Sequence, residues 1–555
     1  MPQHIKQIAE KARLLVKNGQ LKNALKFLTK ILHNNPHYEL FFIRANILKS
    51  LSQPKKALED YSSALSINPR ASYIYVNRGI LFSELNQTTN ALKDFELAIS
   101  TNPKDHLAYF NRGKCFQKLK KYHEAIQSFA KVIEISPYLA AAHMEKGVSH
   151  FKSAENDLAI SHFNESIKLS SNYYEAYLNR SLVFTKNDQF NEAINDLKIA
   201  ITIDSEEAKG FYNLALNQTQ LGDYISAKKN YEIAILKNNE FVSAHLNLSM
   251  IYLTLGEYEK GFHKYEWKWK TKTQRGRKLY QPKSKPRLTQ NKKLIGKSIL
   301  IYSDEGLGDA IQFSRFINPI IHEKARVVLL VQEPLISLFK SSNLKCEIIG
   351  KSSKIPYHDY YAPMSSLPNI LNTNETKIPH PVEFKMSSVR SNSALDLAVK
   401  QKNKPAIGIA WRGNPDHTND KNRSIDLDVF LGNLDQNYEY ISLQKELTKT
   451  EYKIISNQYG ILDSSPLLVD MKQTANLCNQ LDLIITVDTS IAHLCGSMKK
   501  PTWVLIPFVP DWRWQLERSD SPWYPSIKLF RQKEKQNWTD VFIAVNNHLK
   551  SLFPK

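Results

Sequence analysis

The chain has 555 residues, with 75 Lys and Arg against 54 Asp and Glu, which gives a formal net charge of +21. This length predicts three or four domains with their own cores, and the composition, 42% hydrophobic and 10% aromatic, excludes a fully disordered or collagen-like protein. The four cysteines are scattered without a C-x-x-C pair, so neither a disulfide framework nor a cysteine zinc site is indicated. The N-terminus lacks the apolar core of a signal peptide, and no stretch of about 18 apolar residues predicts a membrane span. We therefore expect a cytoplasmic protein.

The first half of the chain repeats, mostly with a period of about 34 residues. Each unit carries a small residue in its middle: Ala24, Ala57, Ala91, Ala125, Ala159, Ala193, Ala227 and Gly261. A large apolar residue stands four positions after this small residue, and in most units another small residue stands twelve positions before it. Phe95 and Gly79 have these positions relative to Ala91. The small residues let two helices cross closely, the large one fills the groove between them, and a proline such as Pro103 ends the second helix. The pattern resembles the tetratricopeptide repeat, and about eight units span residues 1–275.

Repeat arrays of this kind form a superhelix whose groove usually binds peptides or proteins. A series of asparagines recurs at the interval of the repeat, with Glu145 in place of Asn in the fifth unit: Asn77, Asn111, Asn179, Asn213 and Asn247. Such a ladder can hydrogen-bond the backbone of an extended peptide, which predicts a peptide or acceptor groove. A polar contact between repeats, or plain surface, is the alternative, because a duplicated unit repeats its surface as well as its core.

Over half of the net charge lies in one stretch. Residues 251–300 hold 14 Lys and Arg against 3 Asp and Glu, and no acid occurs between residues 268 and 297. Residues 276–296 are therefore predicted to be a basic linker, solvated near acidic surfaces. The alternative is contact with an anion such as a membrane headgroup, a nucleic acid or a phosphorylated substrate. Specific nucleic-acid binding is disfavoured, because the stretch has few aromatic side chains for base stacking.

The second half changes to a strand–turn–helix pattern, which predicts parallel, doubly wound sheets. The predicted strands are residues 298–303, 326–332, 345–349, 406–411, 438–443, 482–487 and 501–506. Helices are predicted at residues 310–322, 490–498 and 537–549. The polar stretch 372–404 divides two Rossmann-like halves, an N-terminal lobe at 297–390 and a C-terminal lobe at 400–555. Ligands in such sheets lie at the carboxyl ends of the strands.

Asp488, Thr489, Ser490 and His493 follow one such strand end, at the start of a helix. The free N–H groups and positive dipole of that helix suit a pyrophosphate, and two hydroxyls add donors. The alternative is simple N-capping, with His493 a satisfied core residue.

A long loop follows the strand at residues 406–411. Gly413 permits a close backbone approach, and Arg412 and Arg423 can each hold phosphate oxygens with two hydrogen bonds. His417 and Asp420 have the spacing of two metal ligands, but one such pair is weak evidence, and no metal site is predicted.

The first predicted strand is followed by Gly306-Leu-Gly308-Asp309, half of a dinucleotide fingerprint. Asp309 is placed by a glycine turn at the predicted cleft, where it can take a proton from an acceptor hydroxyl. A helix N-cap is the alternative. Asp426-x-Asp428 has the form of a metal-binding D-x-D motif, but its amphipathic surroundings indicate the surface at the start of a helix.

These segments together resemble the glycosyltransferase nine family, the heptosyltransferase-like group. The similarity rests on the Gly-Asp309 turn, the Trp411-Arg-Gly-Asn loop with Arg423-Ser424, and the Asp-Thr-Ser-Ile-Ala-His493 block, and it extends to the bacterial branch that carries N-terminal tetratricopeptide repeats. The run Pro507-Phe-Val-Pro-Asp-Trp-Arg-Trp514 is similar to the C-terminal segment of that branch. The architecture also resembles that of the protein O-linked N-acetylglucosamine transferases.

The resemblance implies an all-α tetratricopeptide-repeat superhelix followed by an α/β two-lobed fold of the glycosyltransferase B type. It implies Asp309 as the general base and a nucleotide-diphosphate sugar as co-substrate, with no further cofactor. The implied donor-binding residues are Gly306, Gly308, Arg412, Gly413, Asn414, Arg423, Gln444, Asp488, Thr489, Ser490 and His493.

The sequence therefore predicts a cytoplasmic, metal-independent, inverting glycosyltransferase of hexosyl or heptosyl type. Its repeats recruit a protein or glycan acceptor, and peripheral contact of the basic linker with an anionic membrane surface is the alternative to a solvated linker. The alternative is a repeat scaffold for protein–protein interaction whose transferase domain is vestigial.

Overall fold

The computed structural model describes residues 2–271, 285–386, 405–416 and 419–554. They fall into two compact units, Met1–Leu214 and Ala215–Lys555. His417 and residues 276–284 of the predicted basic linker lie outside the described residues. None of the described helices is long and apolar enough to cross a membrane.

Within residues 2–271, the chain folds into sixteen α-helices, paired as eight helical hairpins. They are α1 (Gln3–Lys17), α2 (Leu21–Asn34), α3 (Tyr38–Ser50), α4 (Pro54–Ile67), α5 (Ser72–Glu84), α6 (Thr88–Thr101), α7 (His106–Lys118), α8 (Tyr122–Ile135), α9 (Ala140–Lys152), α10 (Asn156–Leu169), α11 (Tyr174–Lys186), α12 (Phe190–Ile203), α13 (Ala208–Gln220), α14 (Tyr224–Lys237), α15 (Val242–Thr254) and α16 (Tyr258–Tyr265). The all-α repeat architecture predicted from the repeat period is confirmed.

Close helix crossing explains the periodic glycines. A Cβ atom added to Gly79 would lie 2.7 Å from the ring of Phe95, and one added to Gly113 would lie 2.7 Å from Phe129. The large ring therefore fills the space that the missing side chain leaves, as the sequence predicts. The second helices end two residues before the periodic prolines, for example α6 at Thr101 before Pro103.

The described residues of the second part of the chain form two parallel sheets. Their strands are β1 (Ser298–Tyr302), β2 (Arg326–Leu330), β3 (Glu347–Ile349), β4 (Tyr360–Pro363), β5 (Ala406–Ala410), β6 (Glu439–Ser442), β7 (Leu462–Asp463), β8 (Leu483–Val487), β9 (Thr502–Ile506) and β10 (Ile527–Arg531). The four-stranded sheet has the order β3-β2-β1-β4 and the six-stranded sheet β10-β9-β8-β5-β6-β7. The first sheet has the order 3-2-1-4. If β5 is counted as strand 1 of the second sheet and that sheet is read from its β7 edge, its order is 3-2-1-4-5-6, the classic doubly wound order. The predicted pair of Rossmann-like halves is therefore confirmed.

The helices of this region are mostly short. They are α17 (Leu307–Phe313), α18 (Ile317–His322), α19 (Glu333–Lys340), α20 (Leu367–Ile370), α21 (Asp420–Arg423), α22 (Leu427–Asn433), α23 (Lys449–Lys453), α24 (Met471–Gln480), α25 (Ser490–Ser497) and α26 (Thr539–Leu552). The predicted helical stretch at 310–322 is helical throughout, but a 3₁₀ turn at Ser314–Phe316 divides it into α17 and α18. Pro319 is the physical reason, since it has no N–H to continue the helical ladder from the preceding turn.

Three strands were not predicted, namely β4, β7 and β10. β4 ends in a proline and β7 has only two residues, so neither gives a sequence signal. Asp426 accepts a hydrogen bond from the backbone N–H of Asp428 and caps α22, which agrees with the predicted helix-start surface.

The last repeat hairpin shares a core with the first sheet and with the C-terminal segment. The ring of Tyr258 lies 5.4 Å from that of Trp523, and Phe262 lies edge-on to Trp512 at 5.7 Å. The described end of the predicted linker also packs here. Arg287 contacts Glu266 at 2.5 Å, and Leu288 is buried. This part of the linker is therefore structured rather than solvated.

Candidate functional site

The loops after β1 and β4 meet at the point where the strand order of the first sheet reverses. Asp304 follows β1, and its Oδ1 accepts a hydrogen bond of 3.0 Å from the N–H of Ser365, which follows β4. In doubly wound sheets such reversal points open the crevice in which ligands bind. The Gly-Asp turn that the sequence singled out begins two residues later.

A buried lysine holds this loop. Lys268, just after the last repeat helix, is only 3% exposed, and its Nζ lies 2.7 Å from both Asp304 Oδ2 and Glu305 Oε1. Although burial opposes it, the two carboxylates hold the pKa of Lys268 well above its usual value. The acidic start of the loop is thus partly neutralised by this one cation.

Asp309 lies in the first turn of α17. Its Oδ2 accepts a 3.0 Å hydrogen bond from the N–H of Gly306, and its Oδ1 forms an ion pair with Arg513. Burial raises the pKa of Asp309 while Arg513 opposes the rise. The side chain is 28% exposed, so the carboxylate is partly open to solvent.

Gly308 brings the two halves of the site together. A Cβ atom on this residue would lie 2.8 Å from Cδ2 of His493 and 3.2 Å from Cα of Ser490. The loop after β1 therefore packs directly on α25, the helix after β8. Two motifs that are far apart in the chain form one cluster.

Arg513 is the centre of that cluster, and the sequence did not identify it as a site residue. Its guanidinium contacts Asp309, Gln312 and, at 2.8 Å, Asp511. It also lies over the ring of Trp512 at 4.4 Å. Its only sequence signal was its place in the run from Pro507 to Trp514 that resembles the repeat-bearing glycosyltransferase branch.

Asp488, at the carboxyl end of β8, faces the same charges. Burial and the neighbouring Asp511 raise its pKa to about 7, although Arg513 and Arg423 oppose the shift. Arg423 donates to the backbone oxygen of Asp488 at 3.0 Å and to the side chain of Asp420 at 3.1 Å. Arg423 therefore lies beside the start of α25.

The helix start itself is capped by Thr489, whose Oγ1 accepts from the N–H of Ile491 at 3.3 Å. His493 is 5% exposed, its Nδ1 lies 3.1 Å from the hydroxyl of Tyr524, and its ring stacks on Trp514 at 5.6 Å. Burial and nearby guanidinium groups lower the pKa of His493 far below its usual value. A neutral, well-packed imidazole is the result.

The loop after β5 is closed by other contacts. Arg412 is bound by both oxygens of Glu451, at 2.8 and 3.1 Å, and its N–H lies 3.4 Å from Oε1 of Gln444. Burial raises the pKa of Glu451, but hydrogen bonds from Arg412 and others outweigh it and lower the pKa to about 2.

A Cβ atom at position 413 would lie 2.5 Å from Nη2 of Arg423, so a larger residue there would displace that guanidinium. The next residue, Asn414, accepts a 3.0 Å hydrogen bond from the N–H of Asp416. The loop thus packs closely against Arg423. The roles of the predicted donor-binding residues stay predictions.

The predicted asparagine ladder is only partly free for a ligand. The side-chain amides of Asn77, Asn111 and Asn179 donate to the carbonyl four residues earlier in their own helices, at 2.7, 2.8 and 2.7 Å. Asn213 is buried, and Asn247 donates to the hydroxyl of Tyr231 at 3.2 Å. Binding of a peptide backbone by this series stays a prediction.

Within the described ranges, no group of three or more His, Cys, Asp or Glu side chains has the arrangement of a metal site. The predicted pairing of His417 with Asp420 cannot be followed, since His417 lies outside those ranges. Asp420 itself is paired with Arg423.

Comparison with known proteins identifies the repeats. Family models described as tetratricopeptide repeat match residues 72–105 and 106–139. Protein FlbA of Caulobacter vibrioides is 22% identical over 281 residues, 46% of this chain and 47% of FlbA. The UDP-N-acetylglucosamine--peptide N-acetylglucosaminyltransferase of Giardia intestinalis is 40% identical over 72 residues, which are 13% of this chain and 5% of that protein.

The chain thus spans about half of one curated relative and a small part of the other. A tetratricopeptide repeat protein from Parabacteroides merdae matches in structure with 22% identity and a TM-score of 0.38, covering 45% of this chain and 99% of that one. From the family-model matches and the observed fold, the chain is a tetratricopeptide repeat protein whose repeats precede an α/β region with two parallel sheets.

Proposed function

We propose that the α/β region is a glycosyltransferase that moves a sugar from a nucleotide-diphosphate donor to an acceptor recruited by the repeats. The short match to a peptide N-acetylglucosaminyltransferase supports the class of reaction alone. The resemblance of the site motifs to the family-nine, heptosyltransferase-like enzymes supports an inverting, metal-independent reaction.

One observation carries the proposal. The Gly-Asp turn after β1 and the start of α25 after β8 are packed against each other through Gly308, at the carboxyl ends of two sheets with doubly wound strand order. A carboxylate and a helix start with a neighbouring guanidinium thus lie close together, on the two sides of the crevice that the strand order predicts. An acceptor hydroxyl and a donor diphosphate need this combination.

The proposed reaction follows from the charges. Asp309 takes the proton of the acceptor hydroxyl, and its raised pKa makes it a better base than an ordinary aspartate. Arg513 keeps it ionised and oriented. The acceptor oxygen then bonds to the anomeric carbon as the bond from that carbon to the diphosphate breaks.

The departing diphosphate gains negative charge, which the other side of the crevice stabilises. Arg423, the hydroxyls of Thr489 and Ser490 and the N-terminus of α25 supply donors there. His493 is neutral and packed, so its part is to hold the start of α25 in position. Catalysis by placed dipoles and guanidinium groups of this kind needs no metal ion.

The test measures donor binding and turnover separately. Calorimetric titration with a panel of nucleotide sugars identifies the donor, and Arg423→Gln is expected to weaken its binding about tenfold or more. Arg326→Gln, an exposed arginine at the far end of the first sheet, is the matched control. Asp309→Asn is expected to abolish turnover but not binding, whereas the exposed Asp428→Asn leaves both unchanged. Full turnover in Asp309→Asn would remove Asp309 as the base.

A non-catalytic scaffold is the second candidate. One observation favours it: both oxygens of Asp309 and both of Glu451 are already engaged by the protein, as is the guanidinium of Arg412. If no nucleotide sugar binds in the calorimetric panel while the repeats still capture a protein ligand, this candidate replaces the transferase.

A further inference from the structure

An arginine–aspartate pair recurs along the repeats, between the first helix of a unit and its second. The pairs are Arg44–Asp60, Arg78–Asp94 and Arg180–Asp196, with the same spacing in the chain each time. In each, Nε and Nη2 donate to the two carboxylate oxygens at 2.6 to 2.8 Å. These fork-shaped contacts are the strongest geometry for such a pair.

The fourth and fifth units keep the cation and lose the acid. Arg112 stands at the arginine position of α7, and Ser128 at the aspartate position of α8. In the next unit the two positions hold Lys146 on α9 and His162 on α10. Two successive units thus have a partly buried cation without its carboxylate.

Arg112 has lost most of its contacts. Its Nε donates to Oγ of Ser128 at 3.2 Å, and its guanidinium lies over Tyr109 and Phe116 at 5.1 and 6.0 Å. Glu96 acts on it electrostatically but forms no ion pair with it among the described residues, and burial lowers the pKa of Arg112. The two terminal nitrogens have no hydrogen-bond partner in the described part of the chain.

Lys146, like Arg112, has no acidic partner among the described residues. Burial lowers its pKa, and no acidic side chain of the described ranges forms an ion pair with it. His162 beside it is neutral, since burial and the neighbouring Lys146 lower the pKa of His162 to about 4. Glu145, the adjacent acid, is occupied by Lys114 at 2.5 Å.

The two cations lie on neighbouring helices. Lys114 of α7 reaches Glu145 of α9, and Gln117 donates to Oγ of Ser149 on α9 at 3.0 Å. Because Arg112 and Lys146 occupy the same position of consecutive units, they face in the same direction, one repeat apart.

We propose that Arg112 and Lys146 dock an acidic segment of a protein partner, whose side chains supply the two missing carboxylates. The chain itself argues for a carboxylate, since three equivalent positions hold one with both oxygens bonded. A half-buried cation between two helices admits a side chain more readily than a flat membrane surface. This site is separate from the asparagine series and does not depend on sugar transfer.

The test uses the full chain and a fluorescein-labelled decamer of glutamate, with a decamer of glutamine as the neutral probe, followed by fluorescence anisotropy. Saturable binding of the glutamate decamer to the natural chain is expected. The double variant Ser128→Asp/His162→Asp restores the internal carboxylates and is expected to weaken binding about tenfold or more. Asp60, Asp94 and Asp196 are buried at the equivalent positions, so the variant fits the fold.

Because the chain carries a net charge of +21, the control must carry the same added charge. Gln127→Asp/Ser161→Asp places two carboxylates at the preceding, exposed positions of the same helices and is expected to change binding less than about twofold. The second variant, Arg112→Gln/Lys146→Gln, should lose binding as the restored variant does.

Equal binding by the restored variant and its control would overturn the proposal, as would the absence of saturable binding to the natural chain. So would binding of phosphatidylserine vesicles that falls in the restored variant while peptide binding does not, because the site would then serve a membrane surface.

Discussion

Oppositely charged side chains recur as pairs within one helical hairpin in the repeats, but around Arg513 in the α/β region they pair between distant segments of the chain. In the repeats, an arginine on the first helix of a hairpin meets an aspartate on the second helix of the same hairpin. In the α/β region, Arg513 meets Asp309, which lies in the other lobe, and also holds Asp511. A short-range pair can be copied or lost one unit at a time, whereas the long-range cluster depends on several segments at once. A gap in the repeating pairs is therefore visible in the sequence, and the cluster is not.

The largest effect is expected at Lys268, where a long-range pair is fully buried. Lys268→Met leaves Asp304, with a side chain 2% exposed, and Glu305 without their cation. Loss of one partner of a buried pair costs about 3–5 kcal/mol of unfolding free energy. All eight tryptophans lie between residues 267 and 538, so denaturant unfolding followed by tryptophan fluorescence reports this unit.

Lys270→Met is the control, because its pair with Glu240 is exposed, and such pairs contribute less than about 1 kcal/mol. Equal shifts in the two variants would show that burial of Lys268 does not matter for stability.

The next-largest effect is expected from substitution of a closely packed glycine in each region. Gly79→Ala and Gly308→Ala each place a Cβ atom within 2.8 Å of an aromatic ring, and overpacking of this kind costs about 1–3 kcal/mol. Only Gly308→Ala should also weaken donor binding, since it separates the loop after β1 from α25. Circular dichroism reports the first variant, and fluorescence with donor titration the second.

Gly432→Ala is the matched control. It meets open space near the end of a helix and should gain about 0.5–1 kcal/mol. Undiminished donor affinity in Gly308→Ala would contradict the assignment of this contact to the site.

The next effect, counted per unit of pH, is expected from the titration of Asp488, which lies in the α/β region. The pKa of Asp488 is raised from 3.8 to about 7, so between these values the folded chain holds a proton that the unfolded chain has released. Stability therefore falls as pH rises through this window, by at most about 1.4 kcal/mol per pH unit. Urea unfolding at several pH values measures the slope.

Asp488→Asn should flatten that slope, and the exposed Asp428→Asn should not change it. A slope of the opposite sign, attributable to Asp488, would mean that Arg513 and Arg423 outweigh its burial.

The smallest effect is expected where a missing pair is restored. Ser128→Asp gives Arg112 the carboxylate that Arg78 and Arg180 have, and should raise the stability of the repeats by about 1 kcal/mol. Gln127→Asp, at the preceding and exposed position, should leave the melting curve by circular dichroism unchanged. A lower melting temperature in Ser128→Asp would mean that the fourth unit differs from the third and sixth beyond this one residue.

Much of the fold was predictable because it rests on local signals. Gly79, Phe95 and Pro103 each have one role in a helical hairpin, and their spacing repeats. The strands at 298–303 and 482–487 are short apolar runs between turns, and both formed within one residue of their predicted ends. The helical stretch at 310–322 also formed, but its division by a 3₁₀ turn was not predicted, since the effect of Pro319 depends on how far the preceding turn continues.

The site was predictable only in its separate motifs. The sequence by itself determined the repeat period and the alternation of strands and helices. It also determined the glycine turn before Asp309 and the position of Gly413 in the loop after β5. Only the tertiary structure decided that Gly308 packs on His493, that Arg513 lies between Asp309 and Asp511, and that Lys268 is buried against Asp304. The reason is physical: hydrogen bonds and close contacts within a turn or hairpin leave a spacing in the chain, whereas contacts across a crevice depend on how whole sheets and helices pack.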